Sequence, residues 1–289
     1  MKTEDITDPV FREAVDAIDT GDVAALRLVL DAHPELVTTR LKTPKEKGYF
    51  KDPYLLWFVA DNPIRHPRLP DNIVEITRVL LQVLQQRKAR HYQKQVDYAL
   101  GLVSTGRIPK ECGVQITLMD LLISEGAKVK GSVLGVIGHQ NFEAARYLLS
   151  KGSDYDLATA VGLGNGEDAA LLAAAASPSQ KYVALMVASF FGNDDMIRML
   201  LDCGADPNGK GEKEDFGGFH SHASALHQAV YSGSFASVQL LVEAGASLNA
   251  TDKGYNGTPL DWAMHMRAEE AETGQQREQF AAIADYLAR

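Results

Sequence analysis

The chain contains few cysteines and no long apolar segment. Only Cys112 and Cys203 occur among its 289 residues, which excludes a disulfide framework and favours a reducing compartment. No apolar run approaches the roughly 20 residues that a membrane-spanning helix needs. The first eight residues are acidic and have no apolar core, so they do not resemble a signal peptide. We therefore expect a cytoplasmic protein that does not enter a membrane.

Positive charge is scarce in the C-terminal two-thirds of the chain, within a formal net charge of −9. Residues 1–110 contain 17 Lys and Arg against 15 Asp and Glu, whereas residues 111–289 contain 12 against 23. The only dense basic cluster is Arg87–Lys94, and a nucleic-acid partner normally requires a much broader positive face. The charge distribution therefore argues against nucleic acid and favours a protein partner with a basic surface.

A helix-ending phrase recurs at a fixed interval of 26 residues. Two or three aliphatic residues are followed by polar ones and a turn, with stops at Gly126, Gly152, Pro178 and Gly204. Such a period indicates stacked supersecondary units, whose extended surface suits macromolecular binding better than catalysis. Because two helices and their turns consume most of 26 residues, the central units have little room for a projecting hairpin.

Three segments carry a family resemblance. Gly192–Asn208 is similar to the second helix and hairpin start of an ankyrin repeat, and Ala225-Leu-His-Gln-Ala229 resembles the family's Thr-Pro-Leu-His-x-Ala motif. Thr258-Pro-Leu-Asp-Trp-Ala263 matches the same motif, with aspartate in place of histidine. The chain is identified as a divergent ankyrin-repeat protein, and the likeness is strongest over residues 182–263.

The resemblance implies an all-α repeat solenoid of about eight helix pairs with few and irregular hairpin loops. We expect one domain over residues 1–289, with divergent units in 1–110 and short units in 111–204. Hairpin-bearing units and a C-terminal cap follow in 205–289. The histidine of the family motif, His227 here, is expected to hydrogen-bond to neighbouring turns.

Two loops with aromatic residues are candidate contact surfaces, one near 43–54 and one near 207–223. Aromatic side chains are enriched in binding hot spots, although Tyr49, Phe50, Phe216 and Phe219 are equally compatible with local packing. Trp57 and Phe58 are expected in the core. The predicted partner-binding residues are Tyr49, Phe50, Tyr54, Asp215, Phe216, Phe219, His220, His222 and Tyr255.

The predicted function is a non-catalytic, monomeric protein-interaction module that binds through its concave face and long loops. No catalytic, cofactor-binding or metal-binding residues are predicted, because the histidines near Asp215 do not form a set of three or four ligands with usual spacing. Two alternatives remain open. One is a metal-dependent or other small enzyme that uses residues 215–227, and the other is an inhibitor or immunity-like protein that occludes a toxin or enzyme.

Overall fold

The fold is known from a computed structural model that describes residues 5–43, 48–211 and 218–289. In chain order the helices are α1 (Pro9–Thr20), α2 (Val23–Ala32), two 3₁₀ helices (Pro34–Val37 and Leu55–Ala60), α3 (Ile73–Gln86), α4 (Tyr92–Thr105), α5 (Arg107–Glu111), α6 (Gln115–Ser124), α7 (Leu134–Gly138), α8 (Phe142–Ser150), α9 (Leu157–Gly162), α10 (Gly166–Ala175), α11 (Pro178–Phe190), α12 (Asp194–Asp202), α13 (Ala225–Ser232), α14 (Phe235–Glu243), α15 (Pro259–His265), a π-helical turn (Met266–Glu270) and α16 (Gly274–Leu287). Pairing among extended residues in these ranges is limited to two isolated bridges, Arg40 with Tyr54 and Ser132 with Asp154.

The helices form two compact units. Unit 1 comprises Met1–Lys130 and Glu143–Gly152, and unit 2 comprises Gly131–Phe142 and Ser153–Arg289. Within the two units, helices of the described ranges that follow one another in the chain pack as pairs: α1 with α2, the 3₁₀ helix Leu55–Ala60 with α3, α4 with α6, α9 with α10, α11 with α12, α13 with α14, and α15 with α16. This confirms the predicted all-α repeat. No helix in these ranges is long and apolar enough to cross a membrane.

Unit 1 is built around the 3₁₀ helix Leu55–Ala60, all of whose residues are buried. This short helix packs against α1, α3 and α4. The prediction that Trp57 and Phe58 belong to the core is confirmed, although they lie on a 3₁₀ helix and not on an α-helix. At the end of α1, Gly21 takes a positive φ of 72°, and a Cβ there would collide with the side chain of Asn72.

A buried ion-pair network holds the proline-rich loop that precedes α3. The Arg65 guanidinium lies 2.6 Å from the Asp19 carboxylate on α1 and 3.2 Å from the Asp61 carboxylate. It also lies 4.9 Å from the centre of the Phe58 ring. Burial raises the pKa of Asp61, although backbone hydrogen bonds and the charge of Arg65 oppose this. The network therefore joins this loop to α1 through Asp19 and to the end of the 3₁₀ helix Leu55–Ala60 through Asp61.

Unit 2 arranges its helices in two rows. The first helices α7, α9, α11, α13 and α15 pack one against the next, and the second helices α10, α12, α14 and α16 form a parallel series behind them. Helix α14 confirms the amphipathic pattern expected before Gly245, since Val238 and Leu241 are fully buried. The regular stacking places equivalent positions of successive first helices side by side.

The connections in unit 2 differ greatly in length. Helix α10 ends at Ala175 and α11 begins at Pro178, whereas α12 ends at Asp202 and α13 begins at Ala225. The expected loss of hairpins from the central repeats is confirmed at the first of these connections. Pro178 does not merely end a unit, as the 26-residue frame predicted. It is the first residue of α11, and Ser177 caps that helix, an arrangement that suits a residue without an N–H.

Candidate functional site

A cleft of about 830 Å³ opens in unit 2 beside α13 and α15. We call it the α13–α15 cleft. Its lining combines aromatic rings, histidines and two carboxylates, and among the residues that the structure describes it includes no lysine or arginine: His220, His222, Tyr231, Tyr255, Asn256, Gly257, Asp261, Trp262, His265, Met266 and Glu270. The first helices of two adjacent repeats and the two loops that precede them thus converge on one concave surface.

Asp252 organises the loop on one side of the cleft. Its buried carboxylate accepts hydrogen bonds from the backbone N–H groups of Gly254 (2.7 Å), Tyr255 (2.6 Å) and Gly257 (2.9 Å). It also accepts the indole N–H of Trp262 at 3.1 Å. Burial raises the pKa of Asp252, but these donors together outweigh burial and lower the pKa to about 2. The ionised carboxylate therefore positions both Trp262 and the Tyr255 loop.

His227 joins α13 to the same loop. Its Nε2 lies 3.0 Å from the carbonyl oxygen of Gly257, and its Nδ1 lies 2.7 Å from Oγ of Ser224, the residue that caps α13. Burial lowers the pKa of His227, which favours the neutral ring. Both ring nitrogens are engaged, and the side chain links neighbouring turns as the family resemblance implied.

The rings that line the cleft lie close together. The His220 ring centre is 4.5 Å from that of Tyr231 and 5.4 Å from that of Trp262. The His222 ring centre is 5.9 Å from those of Tyr255 and Trp262. Burial lowers the pKa of His220, and the neighbouring His222 lowers it further. We call these rings the aromatic wall, in which both effects favour the neutral form of His220.

Three of the residues predicted to contact a partner are instead buried. Phe219 packs against Phe190 at a centroid distance of 4.9 Å, Phe50 packs against Phe58 at 5.3 Å, and Tyr54 packs against Trp57 at 5.2 Å. For Phe50 and Phe219, local packing is the role that the structure supports. These side chains are not exposed on the predicted contact surface, because burying the apolar surface of a ring away from water is favourable.

The other predicted positions are distributed differently. Tyr255 is 83% exposed at the cleft, where it meets His220 and His222 among the lining residues. Tyr49 lies in unit 1 and is 58% exposed. Its hydroxyl donates a hydrogen bond to Oδ1 of Asn62 at 3.0 Å. Asp215 and Phe216 lie outside the described residues.

Sequence reasoning missed several residues of the cleft, including Tyr231, Trp262 and His265. A usable signal existed in the motif register. His227 and Asp261 occupy the same motif position in successive repeats, and Tyr231 and His265 each follow one helical turn later. Residues four apart share a helix face, so both were candidates for the same surface.

The histidine-rich enzyme alternative gains no ligand set from the structure. Over residues 5–43, 48–211 and 218–289, no group of three or more His, Cys, Asp or Glu side chains is placed to hold a metal ion. His222 and His220 face aromatic rings, and the Nε2 of His222 lies 3.7 Å from Oδ1 of Asp252. These histidines are parts of the aromatic wall.

Comparisons with known proteins agree with the repeat architecture. A family model described as ankyrin repeats (three copies) matches residues 113–252 and 185–271, together more than half of the chain. A potassium channel, KOR1, from Oryza sativa subsp. japonica is 39% identical over 70 residues, which are 24% of this chain and only 7% of the channel. The human ASB11 ankyrin repeat domain is 14% identical, with a TM-score of 0.39 over 95% of this chain and 96% of that one. On the strength of the family model, the chain belongs to the ankyrin-repeat family.

Proposed function

We propose that the chain is a non-catalytic protein-interaction module whose principal contact surface is the α13–α15 cleft. Ankyrin repeats are generally protein–protein interaction modules. The observation that carries the location is the exposure of Tyr255, at 83%, beside Tyr231 and Trp262 in one concave surface. Large exposed aromatic rings gathered in a cleft are the side chains that contribute most to protein interfaces.

The charge of this surface favours a partner with basic groups. Asp261 and Glu270 line the cleft, while no lysine or arginine in the described part of the chain does so. Hydrogen bonds from Thr258 lower the pKa of Asp261, so this carboxylate is ionised at neutral pH. Complementary charge accelerates association and selects partners more than it raises affinity. We therefore expect the association rate to fall as salt is added.

A photo-crosslinking experiment tests the location. A photoreactive amino acid replaces Tyr255 in one variant and Leu171, which is 76% exposed on α10, in a matched control. After irradiation in a lysate of the native cells, we expect a specific protein adduct from position 255 and a much weaker one from position 171. Mass spectrometry of the adduct identifies the partner, which is then produced separately and its affinity for the unmodified chain measured by calorimetry.

The same experiment identifies the partner. If the partner is an enzyme, an assay of its activity with and without the chain decides between an adaptor and an inhibitor. Equal adducts from positions 255 and 171, or a purified partner whose affinity is unchanged by Tyr255→Ala combined with Tyr231→Ala, would contradict the proposed surface. A monomeric, cytoplasmic protein is part of the proposal, and the two cysteines, neither of which forms a disulfide, support a reducing compartment. Light scattering of the purified chain tests the monomer.

A further inference from the structure

We infer that the α13–α15 cleft is a pocket for one lysine side chain of the partner, with the ammonium group against Trp262 and Tyr231 and near the carboxylates of Asp261 and Glu270. This inference rests on the proposed function and adds the chemistry of the group that is recognised. It depends on three features of the cleft: its aromatic faces, the sign of its charge, and the hydrogen bonds that Asp261 already accepts.

The aromatic wall provides a site for a cation. The indole N–H of Trp262 is already bonded to Asp252 at 3.1 Å, so the indole contributes its π system to the cleft. Tyr231 lies on the other first helix, and the His220 ring centre lies 4.5 Å from that of Tyr231 and 5.4 Å from that of Trp262. Ammonium groups are attracted to aromatic faces, to tryptophan most strongly, and the attraction grows when water is excluded. A concave site with several rings therefore favours a cation over a water molecule.

The charges around the wall have the sign that an ammonium group requires. Asp261 and Glu270 are the carboxylates of the lining, and no lysine or arginine of the described chain lines the cleft with them, although three histidines do. His220 does not oppose a cation near neutral pH, because burial lowers its pKa. The methylene groups of a lysine side chain can meanwhile pack against apolar surface while its charged end reaches the carboxylates.

The state of the carboxylates favours lysine over arginine. A guanidinium group gains most from two parallel hydrogen bonds to one carboxylate. Oδ2 of Asp261 already accepts from the backbone N and the Oγ1 of Thr258 at 2.8 and 2.7 Å. The Oε1 of Glu270 lies 3.8 Å from Nε2 of His265, beyond hydrogen-bond distance. Asp261 therefore does not offer two free oxygens to a guanidinium group, whereas an ammonium group needs only single acceptors.

Indole resonances provide a direct test, since the chain has two tryptophans. Trp57 is buried in unit 1 and serves as an internal control. The probes are four acetylated and amidated pentapeptides, Gly-Ser-X-Ser-Gly, where X is lysine, arginine, norleucine or glutamate. In ¹H–¹⁵N spectra at pH 7, we expect the lysine peptide to shift the Trp262 indole signal saturably, with a Kd about five-fold or more below those of the other three. The Trp57 signal should not move.

Variants identify the groups responsible. Glu270→Gln and Tyr231→Leu should each weaken the lysine peptide about three-fold or more, whereas Leu171→Ala should leave its Kd unchanged. Tyr231→Leu avoids the hydrogen bonds of Asp252, so its result does not depend on whether a Trp262 variant keeps the adjacent loop folded. Far-ultraviolet circular dichroism and the Trp57 signal verify folding of each variant.

The outcomes distinguish the two proposals. Equal binding of the norleucine and lysine peptides, or tighter binding of the arginine peptide, would overturn the lysine pocket. So would a Trp262 signal that responds to none of the peptides. If a partner crosslinked from position 255 still depends on Tyr231 and Tyr255, the interaction surface stands without the lysine pocket. If binding of that partner does not depend on Tyr231 and Tyr255, the proposed surface is wrong, whatever the peptides show.

Discussion

The indole N–H of Trp262 donates a 3.1 Å hydrogen bond to the carboxylate of Asp252, ten residues earlier in the chain. Because the same carboxylate accepts three backbone N–H groups of the intervening loop, one buried charge determines the position of the loop and of the largest ring in the α13–α15 cleft. The site is thus held in place before a partner arrives, which reduces the entropy lost on binding.

Replacing that charge should destabilise the chain. Asp252→Asn keeps the shape of the side chain but places an NH₂ group where a carboxylate oxygen accepts N–H donors. We expect a loss of about 2–3 kcal/mol in the free energy of unfolding, since buried donors lose a charged acceptor. Urea denaturation measures it, with Asp285→Asn, an exposed aspartate on α16, as the control. A loss as small in Asp252→Asn as in Asp285→Asn would contradict the organising role of Asp252.

The same carboxylate should make stability depend on acid pH. The pKa of Asp252 is about 2 in the folded chain against an ordinary value of 3.8. The unfolded chain therefore binds its proton first as the pH falls, and the stabilisation present above pH 4 is lost progressively as the pH falls towards 2. We expect the wild type to lose about 2 kcal/mol more than Asp252→Asn over this interval. If the free energies of unfolding of the wild type and of Asp252→Asn fall equally from pH 5 downwards, the charge of Asp252 contributes no stability.

In unit 1, Arg65 should be far more sensitive than its neighbour Arg68. The Arg65 side chain is 3% exposed and pairs with Asp19 and Asp61, whereas Arg68 is 71% exposed and pairs with Asp71. Arg65→Met removes the cation shared by two largely buried carboxylates, and we expect a loss of about 3–5 kcal/mol. Arg68→Met should change stability by less than about 1 kcal/mol. Chemical denaturation of both variants tests the contrast, and similar losses would contradict it.

Aromatic residues of the loops should separate into stabilising and binding residues. Phe219→Ala removes a buried ring and should cost about 3–5 kcal/mol of stability. Tyr255→Ala removes an exposed ring and should change stability by less than about 0.5 kcal/mol while weakening partner binding. Thermal unfolding measures the stability, and calorimetric titration with the partner identified by crosslinking measures the affinity. A stable Phe219→Ala protein, or a Tyr255→Ala protein with full affinity, would contradict this division.

The repeat pattern was accessible from local sequence because helix pairs are encoded by short-range features. Apolar residues three and four positions apart identify α14 through Val238 and Leu241, and the glycine at 245 ends it. The short connection between Ala175 and Pro178 followed from the 26-residue spacing alone. The irregular region around the 3₁₀ helix Leu55–Ala60 was less accessible, since a single short turn leaves little periodicity to detect.

The sequence by itself determined the family, the order of the helix pairs, the shortened central repeats and the acidic character of the C-terminal half. Each of these depends on residue type and spacing within a few helical turns. Only the tertiary structure decided that Phe50, Tyr54 and Phe219 are buried, and that Tyr231 and Trp262 from successive repeats meet Tyr255 at one cleft. The direction of a loop ring depends on long-range packing and on a buried partner such as Asp252, for which local spacing provides no signal.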